Sequence, residues 1–596
     1  MAQRLPWLLP VLVVAFAAAC DPSPAKSDRP APTASASSAA SSPRAPVPPL
    51  VVSIVIDQEA AWIADERWPL LPKDGGFARL LREGTYAKDM RYAHAVTDTA
   101  PGHAALYTGA PPRVSGVWGN EILDPTSHTK VSIFRDPTTK TVWTGSAPSF
   151  VGSSMDHLRV DTVADRFRAA QKDALIVSIS LKDRAAIPGG GRSPTATLWY
   201  EKELDRFVTS TAFAQTFPGW ADPLAVPTAV RAMPWTLLDP EWVQAHAATP
   251  DNEPGEGELG GMPIVFPHDV AHASSAPNAF RGSPFADDAI FGLAIAAIDG
   301  EHAANRPTLL ALSLSGNDYV GHAYGPDSWE AWDELRRLDA SLAKFFAALD
   351  ARLGPKGWAA IVSGDHGITT MPEATALPKA RPWCHAGAKK GDAGADRWQR
   401  ACGKVGRLYP DELGVEMREV AAKTVKGDAP LVLGVVDPYV YLAPEARTLP
   451  PDDLARLKKA LTAALLKHPE VDRVIDTATL PETCPPDSDE SVDALVCRSY
   501  VPNGAGELYV IPKSGSFFDP DVVPRKGTSH GTPELFDRSV PLVVRAPGRA
   551  VAGRVIEEPV TFRAFARALA TLLGVSPPNP ESVKAPDLAK AADPSR

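Results

Sequence analysis

Apolar strand-like runs alternating with helix-patterned segments predict an α/β fold, a central mostly parallel sheet sandwiched by helices, with inserted cap segments. Three observations carry that expectation. Runs at 50–56, 174–180, 308–314, 359–363 and 540–544 are short, β-branched and apolar at nearly every position, as parallel strands buried on both faces must be. Segments 75–82, 162–172, 329–353 and 561–573 have helical apolar periodicity and lie between or after those runs. Two stretches interrupt the alternation. About 202–293 is rich in Pro, Trp and Gly, and about 372–517 combines a cysteine-bearing loop, a helix near 451–468 and a Val-rich strand near 472–475. Both read as insertions that roof a site at the carboxyl ends of the strands, where open α/β sheets bind ligands.

Composition narrows the function. With 596 residues and 44% hydrophobic side chains, the chain can bury a large core. Lys+Arg of 61 against Asp+Glu of 71 leaves a net charge of -10, with no basic block interleaved with aromatics, so nucleic acid is not an expected partner. The same charge repels anions at long range. An enzyme acting on anions must then attract them locally, through metal ions or single basic residues.

The first residues read as an export signal over 1–19, with an apolar stretch too short for a membrane span. Ala17-Ala18-Ala19-Cys20 resembles a bacterial lipobox, which makes Cys20 a lipidated first residue; an ordinary small-residue cleavage site is the competing reading. Residues 21–48, almost wholly Pro, Ser and Ala, form the expected tether, residues 49–580 the catalytic domain and 581–596 a tail. The expected location is periplasmic, with the membrane as partner through the lipid anchor. Cys384, Cys402, Cys484 and Cys497 favour disulfides 384/402 and 484/497 in an exported chain, over a zinc site whose Cys-x2-4-Cys spacing is missing.

The chemistry gathers at strand ends. Asp57 follows the first run, Asp318 and His322 the third, Asp365 and His366 the fourth, and His530 shortly precedes the fifth. Any one could cap a helix or face solvent. Together they supply O and N donors that overfill one tetrahedral ion and suit two, each with an open position. Thr99, in TDTAPGHAALYTG, lies at the start of a helical segment, where free N–H groups favour anions. A threonine hydroxyl is inert at neutral pH, yet beside a dication it becomes a candidate nucleophile. Lys182 and Arg184, in SLKDR after the second run, are expected on one side of an extended segment with Asp183 directed elsewhere, and Asn120 in SGVWGN offers an amide donor.

These strings, VIDQ, TAPGHAALYTG, SGVWGN, SLKDR, DYVGH, SGDHG and GTSHG, occur in an order that resembles the alkaline phosphatase superfamily, most closely its monomeric, phosphate-irrepressible bacterial members with a threonine nucleophile. The resemblance runs from about Val51 to Leu573. It implies two Zn2+ ions, one held by Asp318, His322 and His530, the other by Asp57, Asp365, His366 and the Thr99 oxygen. It further implies phosphate binding by Asn120, Lys182 and Arg184, a phosphothreonine intermediate, release of inorganic phosphate from small monoesters, and a monomer. Diesterase relatives share the metal cage but typically keep smaller or more apolar side chains in place of the Lys and Arg. A phosphodiesterase or nucleotide pyrophosphatase is therefore the alternative within the superfamily, and a non-catalytic metal-stabilised binding protein the alternative outside it.

Overall fold

Strand β1 (Leu50–Ile56) is buried along its whole length because alternate side chains enter two different cores. Leu50, Val52, Ile54 and Ile56 pack on one face, and Val51 and Val55 on the other. A strand that is apolar at both parities must be covered on both sides, so its sequence already requires helices above and below. The structure, a computed structural model, describes residues 48–124, 126–145, 150–374, 397–400, 404–427 and 429–590. The export signal, Cys20, nearly all of the tether and the 384/402 cysteine pair lie outside them.

The remaining strands of the main sheet are β2 (Thr85–Arg91), β3 (Arg135–Val142), β4 (Val151–Ser153), β5 (Leu175–Ser180), β6 (Ala196–Glu201), β7 (Arg206–Ser210), β8 (Thr308–Leu314), β9 (Trp358–Gly364), β10 (Ser539–Arg545), β11 (Arg554–Ile556) and β12 (Val560–Thr561). Their order is β11-β2-β10-β9-β1-β8-β5-β6-β7-β3-β4, with β12 paired to β2. The stretch β9-β1-β8-β5-β6 is parallel throughout, and Ile56 aligns with both Leu314 and Gly364. The ends of β9, β1 and β8 therefore form one level rim, with the end of β5 beside them.

Helices α1 (Gly76–Glu83), α2 (Thr99–Thr108), α3 (Val163–Ala170), α4 (Asp183–Gly190), α5 (Pro284–Gly300), α6 (Gly316–Tyr324), α7 (Trp329–Leu353) and α8 (Arg563–Leu573) complete the frame. The first core takes Phe77 and Leu80 of α1, Leu293 of α5 and Leu342 of α7; the second takes Leu106 of α2, Phe167 of α3 and Leu569 of α8. Each fully buried side chain of this kind contributes about 1.5–3 kcal/mol. Leu588 and Ala589 also enter the second core. Among the described residues, no helix is long and apolar enough to cross a membrane.

All five expected strands are present, but the fifth departs in direction. β10 runs antiparallel to both β9 and β2. An apolar run does not encode strand direction, and this reversal puts the amino end of β10 at the functional rim. His530, upstream of β10, reaches the rim for that reason. β2 is parallel in sense to β9, so its carboxyl end leads into Thr97 and Thr99 at the same rim. Its sequence, TYAKDMR, carries charges within the strand and gives no apolar run to read.

Within 202–293, β7 joins the main sheet and α5 packs on the first core. Within 372–517, strands Val432–Val436, Tyr439–Leu442, Leu508–Pro512 and Val471–Asp476 form, in that spatial order, a separate sheet covered by helix Pro451–Leu465. The Cys484–Cys497 disulfide is formed.

Candidate active site

Adjacent strand ends deliver the candidate residues to one place. Asp57 follows β1 and Asp365 follows β9, Asp318 and His322 sit one turn apart on α6 directly after β8, and Lys182 follows β5. Lys182 precedes α4 with the extended backbone expected of it, whereas Arg184 is already the second residue of that helix, so the extended segment ends before Arg184. The outcome is similar nonetheless. The two line one cavity of about 180 Å3 with Thr99, Asn120, Asp318 and His530, while Asp183 turns away to accept from Ser153.

Thr99 is the first residue of α2, and Asp98 holds the capping position. The helix comes so close to the rim that a Cβ on Gly102 would stand 2.4 Å from the Asp365 carbonyl oxygen, so only glycine lets it dock there. Asn120 Oδ1 accepts from the Ala100 N–H at 2.8 Å, which leaves its amide N–H groups for the cavity.

Each rim histidine is oriented by a backbone carbonyl. His322 Nδ1 donates to Thr528 O at 2.8 Å, His530 Nδ1 to Thr97 O at 2.8 Å and His366 Nδ1 to Gly367 O at 3.0 Å. A carbonyl can only accept, so the neutral form of each ring presents a lone pair at Nε2, the arrangement of metal-binding imidazoles. His322 Nε2 lies 3.2 Å from Asp318 Oδ1 and 3.3 Å from His530 Nε2; His366 Nε2 lies 3.3 Å from Asp57 Oδ1 and 3.6 Å from Asp365 Oδ2. Two donor groups result, Asp318/His322/His530 and Asp57/Asp318/His366, each with its ligand atoms within 4.8 Å of one another. Asp318 belongs to both.

The donors fit a metal pair. Asp57 Oδ1 and Oδ2, Asp365 Oδ2 and His366 Nε2 are buried without a hydrogen bond of good geometry among the described residues, a costly state unless a cation completes it. Lys182 supplies one cation: its Nζ is 2.5 Å from Asp318 Oδ2, 2.7 Å from Asp57 Oδ2 and 3.3 Å from Thr99 Oγ1. Burial and the Asp318 charge push the Asp57 carboxyl up, yet Lys182 and His366 hold it below the usual carboxylate range. Asp318 is likewise held well below that range against burial, by His322 and Lys182. Burial favours a neutral His366 but Asp365 and Asp57 raise it to about 10, whereas burial and the neighbouring His366 lower His530 to about 4.

Two supporting residues escaped the sequence reading. Gln58 donates from Nε2 to Asp318 Oδ1 at 2.9 Å and from its backbone N–H to Asp365 Oδ1 at 3.1 Å. Its φ of 70° is the backbone turn that allows both. His103 donates from Nδ1 to Thr99 O at 2.9 Å with Asp365 Oδ2 3.0 Å from the same nitrogen, and Nε2 accepts from Ser313 at 2.9 Å. Its position four residues after Thr99 on a helix was the available signal.

Residues 51–518 match the family model for type I phosphodiesterase / nucleotide pyrophosphatase. Alkaline phosphatase PafA of Elizabethkingia meningoseptica is 28% identical over 508 residues, 84% of this chain and 87% of that protein. Alkaline phosphatase PhoD of Zymomonas mobilis is 27% identical over 517 residues, 84% of this chain and 81% of its own. The crystal structure of wild-type PafA superposes with a TM-score of 0.76 at 26% identity, covering 90% of this chain and 98% of that one. A solved PafA variant is substituted at a threonine, an asparagine, a lysine and an arginine whose order and spacing equal those of Thr99, Asn120, Lys182 and Arg184. The chain belongs to the type I phosphodiesterase / nucleotide pyrophosphatase family within the alkaline phosphatase superfamily, and is an alkaline-phosphatase-like hydrolase, related to the bacterial PafA-type enzymes, with a two-metal site.

Proposed function

We propose that the protein hydrolyses small phosphate monoesters through a phosphothreonine on Thr99, using two zinc ions. The observation that carries this is the placement of the Thr99 hydroxyl at a helix start, 3.3 Å from the Lys182 ammonium and in one cavity with Arg184, Asn120, Asp318 and His530. Three imidazoles with carboxylates make an N/O donor set suited to zinc. Asp318, His322 and His530 would hold one ion, and Asp57, Asp365, His366 and Thr99 the other, with Asp318 close enough to serve both. Bound there, such a pair makes the threonine hydroxyl acidic and neutralises the leaving oxygen.

The chain's own residues do the rest. Lys182 and Arg184 bring two positive charges to a dianionic phosphoryl group, and the free amide of Asn120 donates to a non-bridging oxygen. Thr99, fixed by α2, attacks phosphorus as the alcohol departs; water then cleaves the phosphothreonine and phosphate leaves. His103 and Gln58 steady the Asp365 and Asp318 carboxylates during both displacements.

Phosphodiesters are the second reading, favoured by the family description. A diester carries one non-bridging charge fewer and a second substituent, so two cations overprovide for it. Rates on an aryl monophosphate and the matching diester, with and without the Lys182 and Arg184 charges, decide between them. Monoester turnover should dominate and fall steeply in the variants; dominant diester turnover that survives them refutes the monoesterase reading.

The same proposal places the catalytic domain outside the cytoplasm as a monomer, anchored through Cys20. The Cys484–Cys497 disulfide supports an oxidising compartment. Labelling with a lipid precursor, lost on Cys20→Ser, tests the anchor.

A further inference from the structure

The Lys182 ammonium is a point charge on a flexible stem, and two carboxylates stand within ion-pair distance of it. On the cavity side, the ring of Tyr319 lies 5.0 Å from Lys182 Nζ. Tyr319 is 6% exposed and lines the cavity.

The ring is itself held from the first insertion. Arg281 Nη1 donates to Tyr319 Oη at 2.8 Å, and its guanidinium lies 4.5 Å from the ring centroid. Arg281 Nη2 donates to Asn278 Oδ1 at 2.5 Å, and Asn278 Nδ2 donates to Ser275 Oγ at 3.0 Å. Packing allows little slack, because a Cβ on Gly282 would stand 1.8 Å from Leu259 Cδ2 and 3.5 Å from Tyr319 Cβ.

We propose that Arg281 and Tyr319 are positioning residues for the phosphate-binding lysine. Arg281 fixes the Tyr319 ring by a hydrogen bond and a stacked contact, and the negative ring face gives the Lys182 ammonium a seat between the carboxylates and the cavity. The first insertion thus sets monoester preference without touching substrate. This rests on the reading of Lys182 as a phosphate ligand.

A double-mutant cycle tests it, read by kcat/KM on an aryl monophosphate, by the inhibition constant of inorganic phosphate, and by metal content. Arg281→Met and Tyr319→Phe are each expected to weaken phosphate inhibition and kcat/KM about tenfold, with metal content unchanged and diester turnover altered less than about twofold. In a Lys182→Ala background the same changes should cost less than about twofold, the non-additivity of residues acting through one group. If Arg281→Met lowers the melting temperature, Tyr319→Phe, which removes only the hydroxyl that Arg281 holds and leaves an aromatic ring without that tether, carries the comparison. Full additivity in the Lys182→Ala background overturns the inference and leaves Lys182 as a phosphate ligand. A Lys182→Ala enzyme with unchanged phosphate inhibition removes that parent reading, and the inference with it.

Discussion

The carboxylates of the rim and those of the first insertion are comparably buried, yet they stand on opposite sides of neutrality. Asp57 and Asp318 are held below the usual range, because Lys182 and the imidazoles outweigh the cost of burial. Glu253 and Glu256 are 1% and 3% exposed, and among the described residues none of their four carboxylate oxygens has a hydrogen bond of good geometry. Burial raises them to about 8 and about 10, helped for Glu253 by Asp327 and for Glu256 by Glu330. Burial does not by itself make a working acid; the charges converging on it decide whether it is an anion that can hold a cation or a neutral acid that fills space.

That contrast breaks first at the rim. Thr99→Ala should keep both metals and the fold and lose at least about 10^3-fold in kcat, the scale of removing a covalent nucleophile; metal analysis with steady-state rates checks it. Next, Asp318→Asn removes an oxygen common to both donor groups and should weaken metal affinity by more than about 100-fold, measured by chelator competition. Lys182→Ala and Arg184→Ala should each cost roughly 1.5–3 kcal/mol of transition-state stabilisation, from the ratio of kcat/KM values.

The smallest effect belongs to the insertion. A carboxyl whose folded pKa is raised binds more protons folded than unfolded, so its contribution to stability declines as pH rises from the unfolded value towards the folded one. For Glu253 and Glu256 that window runs from the ordinary 4.5 to about 8 and about 10. Glu253→Gln and Glu256→Gln should therefore gain stability relative to the parent as pH rises, while kcat stays put. Denaturant midpoints at pH 5 and pH 9, compared between parent and variants, sharpen or erase the contrast.

Much of this was legible in the sequence because buried parallel strands are apolar at both parities and end abruptly in a polar residue. Asp57, Asp318 and Asp365 stand out on that account. β2 was not legible, since Lys88, Asp89 and Arg91 mask its apolar face, and with it went the reason Thr99 lies at the rim. Strand direction is also silent in a hydrophobic run, so the antiparallel β10 that brings His530 to its partners emerged only from the pairing. Gln58 acts through hydrogen bonds at long sequence separation, which no local pattern records, and His103 shows locally only its spacing of four from Thr99. The pair Arg281 and Tyr319 shares that difficulty, because its meaning depends on where an insertion folds back.

Trapping the covalent intermediate tests the central claim most directly. Metal-loaded protein mixed with an aryl monophosphate, acid-quenched within one turnover and digested, should carry one phosphoryl group on the peptide containing Thr99 and none in Thr99→Ala. Phosphate on another side chain, or a full burst of alcohol with no phosphorylated Thr99, would contradict the account.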